Sequence, residues 1–311
     1  MSIVYDADAL MPLGGKRILI TGAKGMLGRA FQEELENLAP SAKVLALGKH
    51  ELDVRLRDQV LRVGEFNPNF IIHCAAIVNA DYCEDHPDEA YAVKVEGARH
   101  IVELAARSGA KVFYPQSFLI YDGQQLPITE TTAPNPLSVY GRLKLEAEQL
   151  VSDALPDALI VRMAGFFGGR EIDKNFVGKF VPHIAKLIQS GVRSIEVGDR
   201  VWQPTYTNDL AYNTLLLLAN DRSGVYCMAS HGQASFFEMA CDITRLLAIG
   251  DRISISPVPS GQVSANEKAK RPETAIMENR RLVDEGLDRQ RPWQESLAEY
   301  INHPYLRTLF A

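Results

Sequence analysis

Tyr140 and Lys144 stand four residues apart in PNPLSVYGRLKLEAEQL, a segment that reads as a helix over 138–151. That spacing stacks two side chains on one helical face. An ammonium beside a phenol favours the phenolate and lowers the tyrosine pKa. A tyrosine tuned in this way exchanges a proton with a substrate oxygen. The pair alone does not compel this reading, because Tyr and Lys at this spacing also occur on solvated helix faces. Two other features bear on the choice. A glycine-rich turn, TGAKGMLG, follows the first strong strand, and Ser117 closes another strand upstream of the pair.

Gly22, Gly25 and Gly28 follow RILIT and open a helix. The first glycine of such a GxxGxxG run permits the tight turn, and the third allows close helix packing. The second lets backbone approach a pyrophosphate, which the helix N-terminus at Met26 and Leu27 then binds. A glycine-rich turn without a ligand is the alternative; the position between strand and helix favours a dinucleotide. The second strand ends Leu47-Gly48-Lys49-His50, with no acid directly after it. An NAD enzyme often places an acid there for the ribose hydroxyls. Lys49 could pair instead with a 2′-phosphate, which favours NADP(H) over NAD(H); a plain surface lysine is the alternative. Asp53 is better placed near the adenine than at the ribose. Ser117, two residues past Pro115, faces the nicotinamide in this architecture. Its hydroxyl can donate to a substrate carbonyl while Tyr140 delivers a proton. A simple turn serine is the competing reading.

The elements that must hold these residues are legible as short apolar runs alternating with helical patterns. Residues 16–21, 43–47, 70–75, 111–115 and 158–163 read as strands, with helices near 26–38, 56–65, 88–107 and 138–152. Continuous apolar strands between amphipathic helices predict a parallel sheet covered on both faces. The order gives a doubly wound α/β fold of Rossmann type, with ligand at the carboxyl ends of the strands. After Met163 the rhythm changes. Helices are expected over 175–189, 207–219 and 236–248, a short strand over 194–197, and a further main-sheet strand over 224–229. Residues 256–264 read as a loop, and 292–301 as an amphipathic turn or two. The expected division is a dinucleotide-binding domain at 16–165 and 203–232. A smaller α/β substrate domain takes 166–202 and 233–311, and residues 1–15 form a loose extension.

Composition bounds the function. The chain has 311 residues, 46% hydrophobic and 23% charged, with a net charge of −6. That suffices for a substantial core, and no basic run suggests nucleic acid. The four cysteines form no CxxC and the seven histidines no zinc-type spacing; neither a disulfide framework nor a metal site is expected. The N-terminus lacks a signal-peptide pattern, and LLLLA at 215–219 is far too short to span a bilayer. A cytoplasmic protein is expected, monomeric or homodimeric.

Taken together, these segments resemble an extended short-chain dehydrogenase/reductase, and within it most closely the dTDP-4-dehydrorhamnose reductase family. The resemblance covers nearly the whole chain after residue 15. It rests on TGAKGMLGRA, IIHCAAIVNADYCEDHPDEAYAV, PNPLSVYGRLKLEAE, KNFVGKF, QPTYTNDLA and KRPETAIMENRRL. The resemblance implies that Tyr140 is the proton donor, and that Lys144 holds the nicotinamide ribose and lowers the tyrosine pKa. Ser117 would match the family's active-site Thr or Ser. It further implies that Ala75 and Ala76 line the cofactor channel, that Asn175 touches the sugar nucleotide, and that Gln203 and Arg271 lie nearer its base and phosphates. A guanidinium grips phosphate bidentately; a surface arginine beside Lys268 and Lys270 is the alternative.

The chain also departs from the family. The usual Ser-Thr-Asp-Tyr-Val-Phe-Asp-Gly is here Gln116-Ser117-Phe118-Leu119-Ile120-Tyr121-Asp122-Gly123. Phe118 replaces an acid in the substrate pocket, Leu119 a tyrosine, and Lys94 and His73 each replace a common Asn. The implied activity is reduction of a nucleotide-linked 4-keto-6-deoxy sugar by NADPH. An epimerase or dehydratase of the same superfamily is one alternative. The other is a non-catalytic NADP-binding subunit resembling that of methionine adenosyltransferase.

Overall fold

The run RILIT forms the first strand, β1 (Arg17–Thr21), and alternate side chains of it enter two different cores. Ile18 and Ile20 pack on one face, Leu19 on the other, the two-residue alternation of a strand buried on both sides. The computed structural model describes residues 5–264 and 267–310. Around β1 lie β2 (Lys43–Leu47), β3 (Phe70–His73), β4 (Lys111–Ser117) and β5 (Leu159–Met163). The later strands are β6 (Phe166–Phe167), β7 (Ser194–Gly198), β8 (Val201–Trp202), β9 (Thr205–Tyr206), β10 (Gly224–Met228), β11 (Ala234–Ser235) and β12 (Ser254–Val258). Six strands form one parallel sheet in the order β10-β5-β4-β3-β1-β2. The chain leaves β1 towards β2 and then crosses to β3 on the other side, which creates the switch point where such sheets bind ligands.

The helices are α1 (Met26–Leu38), α2 (Arg57–Arg62), α3 (Ala80–Asp85), α4 (Pro87–Tyr91), α5 (Gly97–Ser108), α6 (Val139–Ala154), α7 (Phe176–Gln189), α8 (Thr207–Ala219) and α9 (Phe236–Leu246). Short ones follow: α10 (Ser260–Ser264), α11 (Arg280–Asp284), α12 (Trp293–Ile301) and α13 (Pro304–Thr308). Helix α5 shows why such segments fold. Ala98, Ile101, Leu104 and Ala105 bury one stripe, and Gly109, at φ 68°, ends the helix in the left-handed region. A separate core joins Val177, Val181 and Ile184 of α7 to Met239 and Ile243 of α9 and Leu297 of α12.

Three expectations are corrected. Residues 5–15 are not loose: Asp8–Leu13 form a 3-10 turn, and Leu10 and Leu13 are completely buried in the main core. A fully buried leucine contributes about 1.5–3 kcal/mol, enough to pin so short a segment. The loop expected over 256–264 contains the end of β12, paired in parallel with β7, and then α10. The single helix expected near 88–107 is interrupted. Between α4 and α5 the turn Ala92–Glu96 is a π-helix.

Two buried ion pairs tie the fold together. Asp209, fully buried, accepts two bonds from Arg291 Nε at 2.9 and 3.2 Å and one from Ser296 Oγ at 2.6 Å. The Tyr5 hydroxyl also donates to it. Glu148 of α6 binds Arg162 of β5 at 2.5 Å, and that guanidinium donates to Tyr121 Oη at 2.8 Å.

Candidate active site

The cradle begins at the glycine turn. Gly22 sits at φ 64°, and a Cβ there would lie 2.6 Å from Ala75 N, so only glycine lets β1 and β3 end this close together. A Cβ on Gly28 would lie 2.6 Å from Gly22 O, so glycine also sets the approach of α1. Gly25 is the N-cap of α1; no side chain caps the helix and no acid enters its first turn. The first-turn amides, around Met26 and Leu27, thus present the positive end of the helix to an anion. Ala75 is half-buried and Ala76 exposed just beyond β3. The Thr21 hydroxyl accepts from Ala75 N at 3.3 Å and bonds His73 Nδ1 at 2.9 Å. Burial pushes the His73 pKa down to about 3, so it is a neutral spacer.

Beyond β2, Lys49 is exposed. Asp53 does not project freely: Arg55 grips it at 2.6 Å and holds its carboxyl below the usual range. An acid does reach the strand end from a little further on. Glu51 accepts from Gly48 N at 3.0 Å and from Lys24 Nζ at 2.5 Å.

At the end of β4, Ser117 Oγ accepts from Leu119 N at 3.2 Å and shapes the short turn Phe118–Ile120. Helix α6 starts cleanly because Ser138 Oγ accepts from Gly141 N at 3.1 Å and Glu84 accepts from Val139 N at 2.7 Å. Gly141 then allows α6 to meet that turn, since a Cβ there would lie 2.3 Å from Leu119 O. Gln116 Nε2 donates to Lys144 O at 2.9 Å and its Oε1 accepts from Ser117 N at 2.8 Å, locking strand and helix in register.

Half-buried Ser117 lies beside buried Tyr140, and Lys144 is buried one turn further along α6, but the electrostatics differ from the simple pair. Tyr140 is 9% exposed. Burial pushes its pKa up to about 12, against the downward pull of a hydrogen bond with Ser117. The expected lowering by Lys144 is therefore corrected. Lys144 Nζ donates to Pro115 O and lies 4.1 Å from the Tyr114 ring centroid, not at the Tyr140 hydroxyl. Burial drives its pKa down, with help from the charge of Lys94. Lys94 Nζ stands over the Tyr140 ring, 3.8 Å from its centroid. Sequence reasoning saw Lys94 only as a departure. The available signal was a lysine between Val93 and Val95 in a helical pattern.

Phe118 is half-buried near Gly165, whose added Cβ would lie 3.7 Å from the Phe118 ring and 2.8 Å from that of Trp202. It forms part of an apolar wall. Three other expected residues are engaged internally. Gln203 is buried, donating to Met277 O at 3.0 Å and accepting from Met277 N at 2.6 Å. Arg271 binds Asp81 at 3.2 Å and Glu267 at 3.1 Å, and Ala269 beside it packs in the cluster that holds Tyr140. Asn175, at the start of α7, donates to Phe166 O at 2.5 Å. Among the described residues, no group of three or more His, Cys, Asp and Glu is gathered to hold a metal, and no helix is long and apolar enough to cross a membrane.

The chain is similar to several known proteins over nearly its whole length. A dTDP-4-keto-6-deoxy-D-glucose reductase of Streptomyces niveus is 31% identical over 91% of this chain and 96% of its own. Methionine adenosyltransferase 2 subunit beta of Danio rerio is 31% identical over 88% of this chain and 85% of its own. The crystal structure of dTDP-4-dehydrorhamnose reductase from Bacillus anthracis, a complex with NADP, superposes with a TM-score of 0.82 at 29% identity. It covers 92% of this chain and 98% of its own. The family model described as the RmlD substrate binding domain matches residues 16–306, and the chain belongs to that family.

Proposed function

We propose that this protein is an NADPH-dependent reductase of a nucleotide-linked 4-keto-6-deoxy sugar. The observation that carries the reading is Ser117 beside Tyr140, together with an uncapped helix N-terminus that follows a tight glycine turn at the end of β1. The turn suits such a cofactor: Gly22 and Gly28 let β1, β3 and α1 meet closely, and no side chain or acid occupies the N-terminus of α1, where a pyrophosphate would bind. NADPH, when bound, supplies a hydride for the keto carbon. Tyr140 holds its proton at neutral pH, since its pKa lies at about 12, and so acts as the acid of a reduction. Ser117 donates to the same keto oxygen, and Lys144 takes up the nicotinamide ribose. NADP(H) is favoured over NAD(H) because Lys49 stands exposed after β2 while the nearby acid, Glu51, is tied to Lys24.

The division proposed is a dinucleotide-binding part, 16–165 with 203–232, and a substrate part, 166–202 with 233–311. The buried residues of the main-sheet core and of the core of α7, α9 and α12 follow it except at Leu282, which packs on the main sheet, and Tyr206, which packs with α7 and α12. Four free cysteines suit a reducing compartment such as the cytoplasm. One other reading has an observation in its favour. The methionine adenosyltransferase relative and the apolar Phe118 and Leu119 suit a subunit that binds NADP without turnover. An NADPH absorbance assay against dTDP-, GDP-, UDP- and CDP-linked 4-keto-6-deoxy sugars separates the two. The reductase reading expects consumption with at least one sugar; binding of NADPH without consumption across the panel defeats it.

A further inference from the structure

Lys94 is the least expected group in the site. It is 2% exposed, and among the described residues it forms no salt bridge with a carboxylate. Its one hydrogen bond runs to Ile77 O at 2.6 Å. Its ammonium stands 3.8 Å from the centroid of the Tyr140 ring. The residue lies in the middle of the π-helical turn Ala92–Glu96. Such turns insert one residue into a helix, re-aim its side chains and recur at functional sites. Removing an ammonium from water without an anionic partner is costly. A π-face and one carbonyl recover part of that cost; a negative charge formed on Tyr140 would recover far more.

We propose that Lys94 is a positioning residue for Tyr140, a buried cation that stabilises the tyrosinate left when the proton is delivered. The inference rests on the reductase reading and deepens it. Lys144 faces Pro115 O and the Tyr114 ring, whereas Lys94 faces the ring that ionises. The titratable groups around Lys94 are few. Cys83 comes from α3, with a thiol pKa raised by burial, and Tyr140 and Lys144 come from α6. None is a carboxylate. Burial lowers the Lys94 pKa to about 8, so the cation is present at neutral pH and disappears above that value. The stabilisation is therefore full below about pH 8 and fades as the pH rises through it.

The test reads Tyr140 without turnover. The protein carries tyrosine labelled with ¹³C at Cζ, and the Tyr140 resonance is identified by its loss in Tyr140→Phe. Its shift is followed with pH in the parent and in Lys94→Met. The parent should show an inflection near pH 8, which Lys94→Met abolishes. Should Lys94→Met fail to fold, Lys94→Asn carries the same readout. Absence of the inflection in the parent, or its survival in either variant, overturns the proposal. In the assay for sugar reduction, Lys94→Met should lower kcat by about tenfold or more, one pKa unit of lost coupling, with NADPH affinity retained. Unchanged kcat in a parent-active assay also overturns it. A parent that shows the inflection but reduces no sugar overturns the reductase reading alone.

Discussion

Two of the regions of this protein that bury charge do it in opposite ways. Around Asp209 the charge is matched: Arg291, Ser296 and Tyr5 satisfy one carboxylate, and Arg291 also binds Glu299 at 2.6 Å. Around Tyr140 it is not: Lys94 and Lys144 are almost fully buried, and each donates to a backbone carbonyl alone. A matched buried pair holds elements together and is expensive to break from one side. An unmatched buried cation adds nothing to stability by itself. It is tolerated where a negative charge arrives later, from a ligand or a reaction. The difference separates the residues that maintain the fold from those that maintain the chemistry.

The sharpest break in the comparison sets Tyr140→Phe against Arg291→Met. Removing a general acid costs about 10²–10⁴-fold in rate. Tyr140→Phe should lose turnover by that amount in steady-state assays, with cofactor binding and melting temperature nearly unchanged. Arg291→Met should do the reverse. Leaving Asp209 buried without its partner costs about 3–5 kcal/mol, read in urea unfolding, while the molecules that remain folded keep their activity. Lys144→Met sharpens the contrast, because it should weaken NADPH binding and rate while stability holds or improves. A stability loss in Lys144→Met as large as that in Arg291→Met would erase the distinction.

Glu34 lies between the two cases. It is 3% exposed, and Asn208 Nδ2 at 2.9 Å is its partner rather than a cation. Burial raises its pKa to about 7, above the ordinary 4.5, so the fold prefers it protonated. The folded state then holds a proton that the unfolded chain has released, and stability falls as pH rises through that window. At 1.36 kcal/mol per pKa unit the loss is up to roughly 3 kcal/mol. Unfolding free energies measured from pH 4 to 8 should show this decline, and Glu34→Gln should flatten it.

The smallest expected effect concerns Lys49, which is exposed. A hydrogen bond to a charged group contributes about 1.5–3 kcal/mol, less where solvent screens it. Lys49→Ala should weaken NADPH by roughly tenfold and leave NADH unchanged in calorimetry. Equal losses for both cofactors would remove the 2′-phosphate argument.

The sequence made the central sheet legible because RILIT, FIIH and LIVRM are continuous apolar runs, and a strand buried on both faces must be one. It made the cradle legible because the glycines fall between a strand and a helix. It failed where the deciding contact is distant. Leu10 and Leu13 look unremarkable until α8 and α1 cover them. Strand β12 contains Pro257 and polar neighbours, which read as loop; its pairing with β7 at the edge of a two-stranded sheet tolerates them. Gln203 is absorbed by Met277, far along the chain. Helical spacing suggests that Lys144 sets the Tyr140 pKa, but Lys144 turns to Pro115 O and burial raises the tyrosine instead. Helical spacing could not foresee a π-helical turn that carries Lys94 to the same ring.

Hydride transfer to a sugar-nucleotide ketone in the Tyr140 pocket leaves a mark on a single carbon of the product. The most direct measurement supplies NADPH deuterated at the transferring position together with a 4-keto-6-deoxy sugar nucleotide, and weighs the product by mass spectrometry. One deuterium is expected at the former keto carbon in the parent, and almost none in Tyr140→Phe. An unlabelled, unreduced sugar in the presence of bound NADPH, across every nucleotide tried, would contradict it.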